Sequence, residues 1–365
     1  MTIGLSYGST TMYSFPERSS ELLVGTIDGA FFLRRRTGSP GWDITRRVLE
    51  DHHIGQIFID SESGLILVGT FTDGLFVSVD GGTTWERRGQ ELGGQLFSLA
   101  GTRLQGRLRL YAGTEPPHLY YSDDLGFSWT ELPAFQSVPA MDRWTFPVEP
   151  HIAHLKHINF APDDPAVIYA SVEMGGLYKS TDAGETWREL AGMDPDVHRT
   201  VIDPDVPQRI LTTGGGGIYA TVDGGATWEQ RSTGEDNTIG GYPDFMVLNP
   251  KHPQTMFVAG AIRGPATWPS RGLADSRICR SDDGGRTWAR VRGGLPEPMQ
   301  AAIESMCLER WGESFSLFFG TTSGDVYCSD NEGVDWSLIA SGLPSIAKGG
   351  AGYGTRKALA GLAAR

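Results

Sequence analysis

Short apolar runs recur along the whole chain, and polar, glycine-rich phrases separate them. One stretch shows the unit: Gln56–Ile59, then Leu65–Gly69, then Gly74–Ser78, a polar turn, and Trp85–Arg88. Runs this short, bounded by Gly and Asp, predict strands rather than helices. The same order returns as His157–Ala161, Val167–Ala170, Gly176–Ser180 and Trp187–Leu190. Each unit therefore reads as four antiparallel strands, a to d.

The polar turn before the last strand is itself a repeat. It reads Ser78-Val-Asp-Gly-Gly-Thr-Thr-Trp85, and versions of it end at Trp129, Trp187, Trp228 and Trp288. A worn copy, with Asn331 and Asp335 in place of the usual Asp and Thr/Ser, ends at Trp336. Trp42 stands where a seventh copy would end. Asp accepts backbone N–H bonds in such a turn, Gly supplies the positive φ, and Trp anchors the next strand. A unit of this kind cannot bury both faces alone, so the repeats must fold as one ring.

The pattern S-x-D-x-G-x-[ST]-W resembles the Asp-box, or BNR repeat, of the sialidase-like, photosystem II assembly factor-like and VPS10-type propellers. The resemblance covers about residues 70 to 340. It implies an all-β, seven-bladed β-propeller with the boxes between strands c and d. The expected domain is 1–345, with 346–365 as a tail that matches no blade. All boxes then mark one face. Insertions at 132–154 and 260–276 fall on the opposite face, where the active site of related enzymes lies. Long loops on a rigid scaffold carry function disproportionately.

Composition narrows the partners. The 365 residues include 49 Gly, in keeping with many tight turns, and the net charge is −13. So acidic a balance argues against a nucleic-acid binder, because a phosphate backbone needs clustered cations. No apolar run is long enough to span a membrane. Met1–Ser6 lacks the features of a signal peptide, and Cys279, Cys307 and Cys328 form no paired motif, so a cytoplasmic protein is expected. The cysteines fall in strands and read as packing residues. Arg34–Arg36 reads as a solvated basic run. Gly214–Gly217 is followed by no Gly-Lys-Ser/Thr and reads as a b–c turn that leaves space at the channel mouth.

Candidate chemistry comes from aligning the inner strands. That alignment places Thr11, Gln56, Gln95, His157, Arg199, Asp244 and Glu304 around the channel, with Glu115 and Glu173 nearby. Glu173, Glu304 and Asp244 are candidate acids and bases, and Arg199 a holder of an acidic substrate group. Arg263, Tyr242, Trp144, Gln56 and Glu115 are candidate substrate contacts, together with Trp268 and Arg271. His53, His154 and His157, from a cluster that includes His151, are candidate ligands for a divalent transition metal (Zn, Mn or Fe).

Three functions follow. The first is a metal-assisted hydrolase or lyase acting on a small polar or acidic substrate. The second is a non-catalytic scaffold that binds a protein partner. The third is a glycoside hydrolase. A sialidase would need an Arg-Ile-Pro segment and a three-arginine cluster, neither of which is recognisable here. A xyloglucanase-like enzyme uses two such propellers.

Overall fold

A computed structural model describes residues 1–71, 73–233, 238–265 and 273–348. Seven β-sheets form a seven-bladed propeller, as the repeats predict. Blade two shows the plain pattern: Ile54–Ile59, Ile66–Thr70, Leu75–Ser78 and Glu86–Arg88 pair in order, each antiparallel to the next. Apolar clusters fill the spaces between neighbouring sheets. Among the described residues no helix is long and apolar enough to cross a membrane.

The c–d turns are held as their sequence requires. Ser78 Oγ donates to Asp80 Oδ1 at 2.8 Å and accepts from Gly82 N at 2.8 Å, while Asp80 accepts from Thr84 N and Thr84 Oγ1. Gly82 has φ +79°. The turns at Asp124, Asp182, Asp223 and Asp283 repeat this geometry. In the worn copy Asn331 Nδ2 donates to Asp335 Oδ2 at 3.0 Å. Donor and acceptor have exchanged places and the turn survives.

Ring closure departs from expectation. Thr2–Leu5 is the innermost strand of blade one, yet it runs parallel to Glu21–Thr26. Met12–Phe15 then crosses to blade seven as a fifth strand, parallel to the inner strand Ile303–Trp311. Thr11 therefore leads into blade seven and is not part of an inner strand of blade one. Arg35 is not solvated either: its guanidinium grips both oxygens of Asp330, at 2.6 and 2.7 Å, and lies over the Trp42 ring. It joins strand c of blade one to the worn turn of blade seven.

The insertion after blade three forms two short 3-10 turns, Pro133–Ser137 and Pro139–Arg143. Between Tyr7 and Met12 the N-terminal segment follows the inner edge of blade two, where Gly8 N donates to Gly55 O at 2.7 Å. After its outer strand Ser337–Ala340, the chain returns inward over the face opposite the boxes and reaches the channel at Lys348.

Candidate functional site

Six of the inner strands share one irregularity. In blades two to seven the pairing of strand a with strand b slips by one residue at the same level. The extra residues are Gly55, Phe97, Lys156, His198, Asp244 and Glu304. A bulge inserts an unpaired residue and re-aims its side chain. Here four of the six carry ionisable groups, and they meet across the ring.

Glu173, the last residue of its strand in blade four, is their shared counter-ion. It receives His154 Nε2 at 2.5 Å and Lys348 Nζ at 2.9 Å on each oxygen, and Lys156 Nζ lies 3.2 Å away. Lys156 Nζ also lies 3.1 Å from Asp244 Oδ1, so blades four and six touch across the channel. His198 bridges Asp196 at 3.1 Å and Asp244 at 3.4 Å. His154 Nδ1 faces Glu115 at 3.4 Å. Glu304 accepts the backbone N–H of Lys348 at 3.1 Å. All of Lys156, Glu173, His198, Asp244, Glu304 and Lys348 are at most 6% exposed.

Burial acts alike on these carboxyls, and their neighbouring charges separate them. Burial works to raise Glu173, but Lys156, Lys348 and His154 hold that group well below the usual range. Burial likewise opposes ionisation of Asp244, and Lys156, His198 and Arg199 overcome it. At Glu304 burial and the neighbouring Asp244 charge prevail over Lys348 and raise the pKa to about 7. Glu304 therefore holds a proton in a range where the Glu173 and Asp244 carboxyls do not.

Several expected site residues lie elsewhere. His157 follows the bulge, so it turns away from His154. Its Nδ1 accepts from Thr200 N at 3.3 Å, and burial, with Arg199 and Lys156 close by, keeps it neutral. His53 bonds the Ala347 carbonyl. The structure thus gives His53, His154 and His157 three separate settings, not one ligand sphere. Among the described residues, Glu173, Asp196 and His198 are the group whose ligand atoms lie within 4.8 Å of one another. A cation there would compete with Lys348 for Glu173.

Arg199 holds no open carboxylate site. It donates to the carbonyls of Lys156 and Tyr7 and lies over the Phe245 ring at 4.5 Å. Gln56 is buried, wedged against the glycines Gly8 and Gly69, whose lack of Cβ admits it. Gln95 begins strand a of blade three, opposite Glu115 and ahead of the bulge. Tyr242 packs on the His198 ring at 4.8 Å. Trp144 is a packing residue: it lies against Phe135 and Tyr178 and donates to the Tyr178 hydroxyl. Arg263 is exposed, and Trp268 and Arg271 lie outside the described residues. The glycine run opens no space, because a Cβ on Gly215 would strike the Asp196 carboxylate, 2.2 Å away.

Below the bulges, toward the box face, the channel widens into a cavity of ≈ 290 Å³. Thr10, Phe58, Ser98, His157, Val201 and Val247 are among its walls. The channel is thus charged and filled above, and mainly apolar and hollow below.

The molecule is a seven-bladed propeller whose channel is closed by its own buried ion pairs. No family model matches the chain. A xyloglucanase from Paenibacillus sp is 25% identical over 307 residues, covering 72% of this chain and 28% of that protein. The chain thus spans under a third of that relative's length. Among solved structures, an ancestral GH74 enzyme superposes with TM-score 0.62 at 18% identity, over 79% of this chain and 38% of that one. YCF48 from Cyanidioschyzon merolae superposes with TM-score 0.55 at 15% identity, over 87% and 97%. YCF48 bound to D1 peptide gives 0.53 at 16%, over 90% and 88%. These structural likenesses establish the fold.

Proposed function

We propose that this chain is a non-catalytic binding propeller that engages a protein partner on the face opposite the box turns. One observation carries the reading: the groups that would do chemistry are spent on one another. Glu173 is bound by His154 and Lys348, Asp244 faces Lys156 and His198, and Arg199 holds backbone carbonyls. A general base needs reach to a substrate proton, and the returning segment to Lys348 occupies that approach.

A glycoside hydrolase is the second reading. Glu304, with its pKa near 7, beside the ionised Asp244 has the split character of an acid and a carboxylate partner. The xyloglucanase relative adds weight to it.

Turnover separates the two. The full chain and a chain ending at Pro344 would be assayed on xyloglucan and aryl glycosides, with Glu304→Gln as control. The binding reading expects no turnover above the control in either chain. Hydrolysis that disappears in Glu304→Gln would overturn it in favour of the glycosidase.

A further inference from the structure

The returning C-terminal segment is more than a tether. Leu343 N bonds Gly324 O, Ile346 N bonds Thr321 O, and Ser345 O accepts from Ile27 N. The segment therefore lies across the b–c turns of blades seven and one. Residues Ser345 to Lys348 are buried, Ile346 completely, and the Ile346 side chain fills a space left by Gly320. Two residues further on, the Lys348 side chain drops into the channel.

What receives it is a built cation chamber. Its floor is the Glu173 carboxylate, both oxygens of which bond Lys348 Nζ at 2.9 Å. Its walls include Phe146 and Tyr7, whose ring centres lie 5.2 and 5.8 Å from that nitrogen. Aromatic faces at this range attract an ammonium group. The Tyr7 hydroxyl is buried and makes no hydrogen bond among the described residues. A buried hydroxyl without a partner is costly, and it belongs to a wall of the chamber. Lys156 reaches both Glu173 and Asp244 from its inner strand, and Arg199 lies close by on the next. Lys348, by contrast, is supplied by a segment outside the blades.

We propose that this chamber is a recognition site for a lysine side chain presented by an extended polypeptide partner, and that Lys348 is its occupant in cis. The preferred segment carries an aliphatic residue two positions before the lysine, as Ile346 precedes Lys348. In an extended chain that spacing puts both on one side. The partner and the chain's own segment compete for one seat, so binding requires the segment to lift. The inference rests on the binding reading above and specifies its ligand.

The test uses a chain ending at Pro344 and the peptide acetyl-Ser-Ile-Ala-Lys-amide, followed by calorimetry and thermal unfolding. Expected is one-to-one binding with a raised Tm. Replacing the peptide lysine by methionine should weaken binding at least ten-fold, and the full-length chain should bind at least ten-fold more weakly than the shortened one. Equal binding of the lysine and methionine peptides, or no binding to a folded shortened chain, overturns the proposal. Should that chain not fold, full-length Lys348→Ala replaces it, probed with n-butylammonium against n-butanol. Uptake of the amine alone supports the chamber, and equal response to both overturns it. The glycan assay is independent: a peptide failure without turnover removes only the lysine site, whereas turnover removes the binding reading itself.

Discussion

The rim and the centre of this propeller use repetition in opposite ways. At the rim, Ser, Asp, Gly and Trp recur, and the turns share one hydrogen-bond pattern to within a few tenths of an ångström. At the centre the backbone repeats instead. The same bulge occurs in six blades, yet it presents Gly55, Phe97, Lys156, His198, Asp244 and Glu304. The rim turns satisfy themselves, so each must have the same residues. Three of the bulged residues, Lys156, His198 and Asp244, form ion pairs in the channel, so these must differ and be complementary. Local hydrogen bonds select identity; a shared buried space selects charge balance.

This contrast can be broken from the centre outward. Glu173→Gln should have the largest effect. It leaves Lys156, Lys348 and His154 without their common carboxylate, and losing one partner of a buried pair costs about 3–5 kcal/mol. Denaturant unfolding of the variant measures it. A loss under 1 kcal/mol would mean that the centre is as loosely coupled as a surface.

Glu304→Gln comes next, with a defined sign. The folded-state pKa of Glu304, about 7, lies above its ordinary 4.5. Its contribution to stability is therefore full below about pH 4.5 and is lost as pH rises through 7. The wild-type chain should lose up to about 3 kcal/mol from this group across that window. The glutamine variant lacks that loss, so its Tm difference between pH 5 and pH 8 should shrink. An unchanged pH profile would show that Glu304 ionises freely.

The rim should respond less and more uniformly. Ser78→Ala, Ser122→Ala, Ser180→Ala and Ser281→Ala each strip a buried glycine N–H of its acceptor. About 1–2 kcal/mol per site is expected, with the four values close together. A wide spread would erase the distinction between rim and centre. Arg35→Lys should be smallest, about 1 kcal/mol, because it keeps the charge but loses the two-point grip on Asp330. Its effect should appear in chemical denaturation as a destabilised seam between blades one and seven.

The two levels of the channel also differ in what could be read beforehand. Strand alignment puts Asp244, Glu304 and Glu173 near the channel, and in the structure all three are buried there. Gln56, His157 and Arg199 were each one residue beyond the bulge. The sign of it is present in the sequence: Leu155, Ile158 and Phe160, like Ile54, Ile57 and Ile59, are spaced three and then two apart. Strict alternation would give two and two. That extra residue moves Lys156 and His198 into the channel and turns His157 toward the lower cavity. Tyr7 and Lys348 carry no comparable sign, because segments outside the blades deliver them.

Sequence by itself determined the strands, the turns and the number of blades. Each depends on contacts within about fifty residues of chain, and the box phrase repeats those contacts openly. Only the tertiary structure decided how the ring closes, which residues meet in the channel and what fills it. Lys348 and Glu173 are 175 residues apart, and Arg35 and Asp330 are 295 apart. Their pairing depends on the curvature of the whole ring and on the complementary charge of groups that no local pattern brings together.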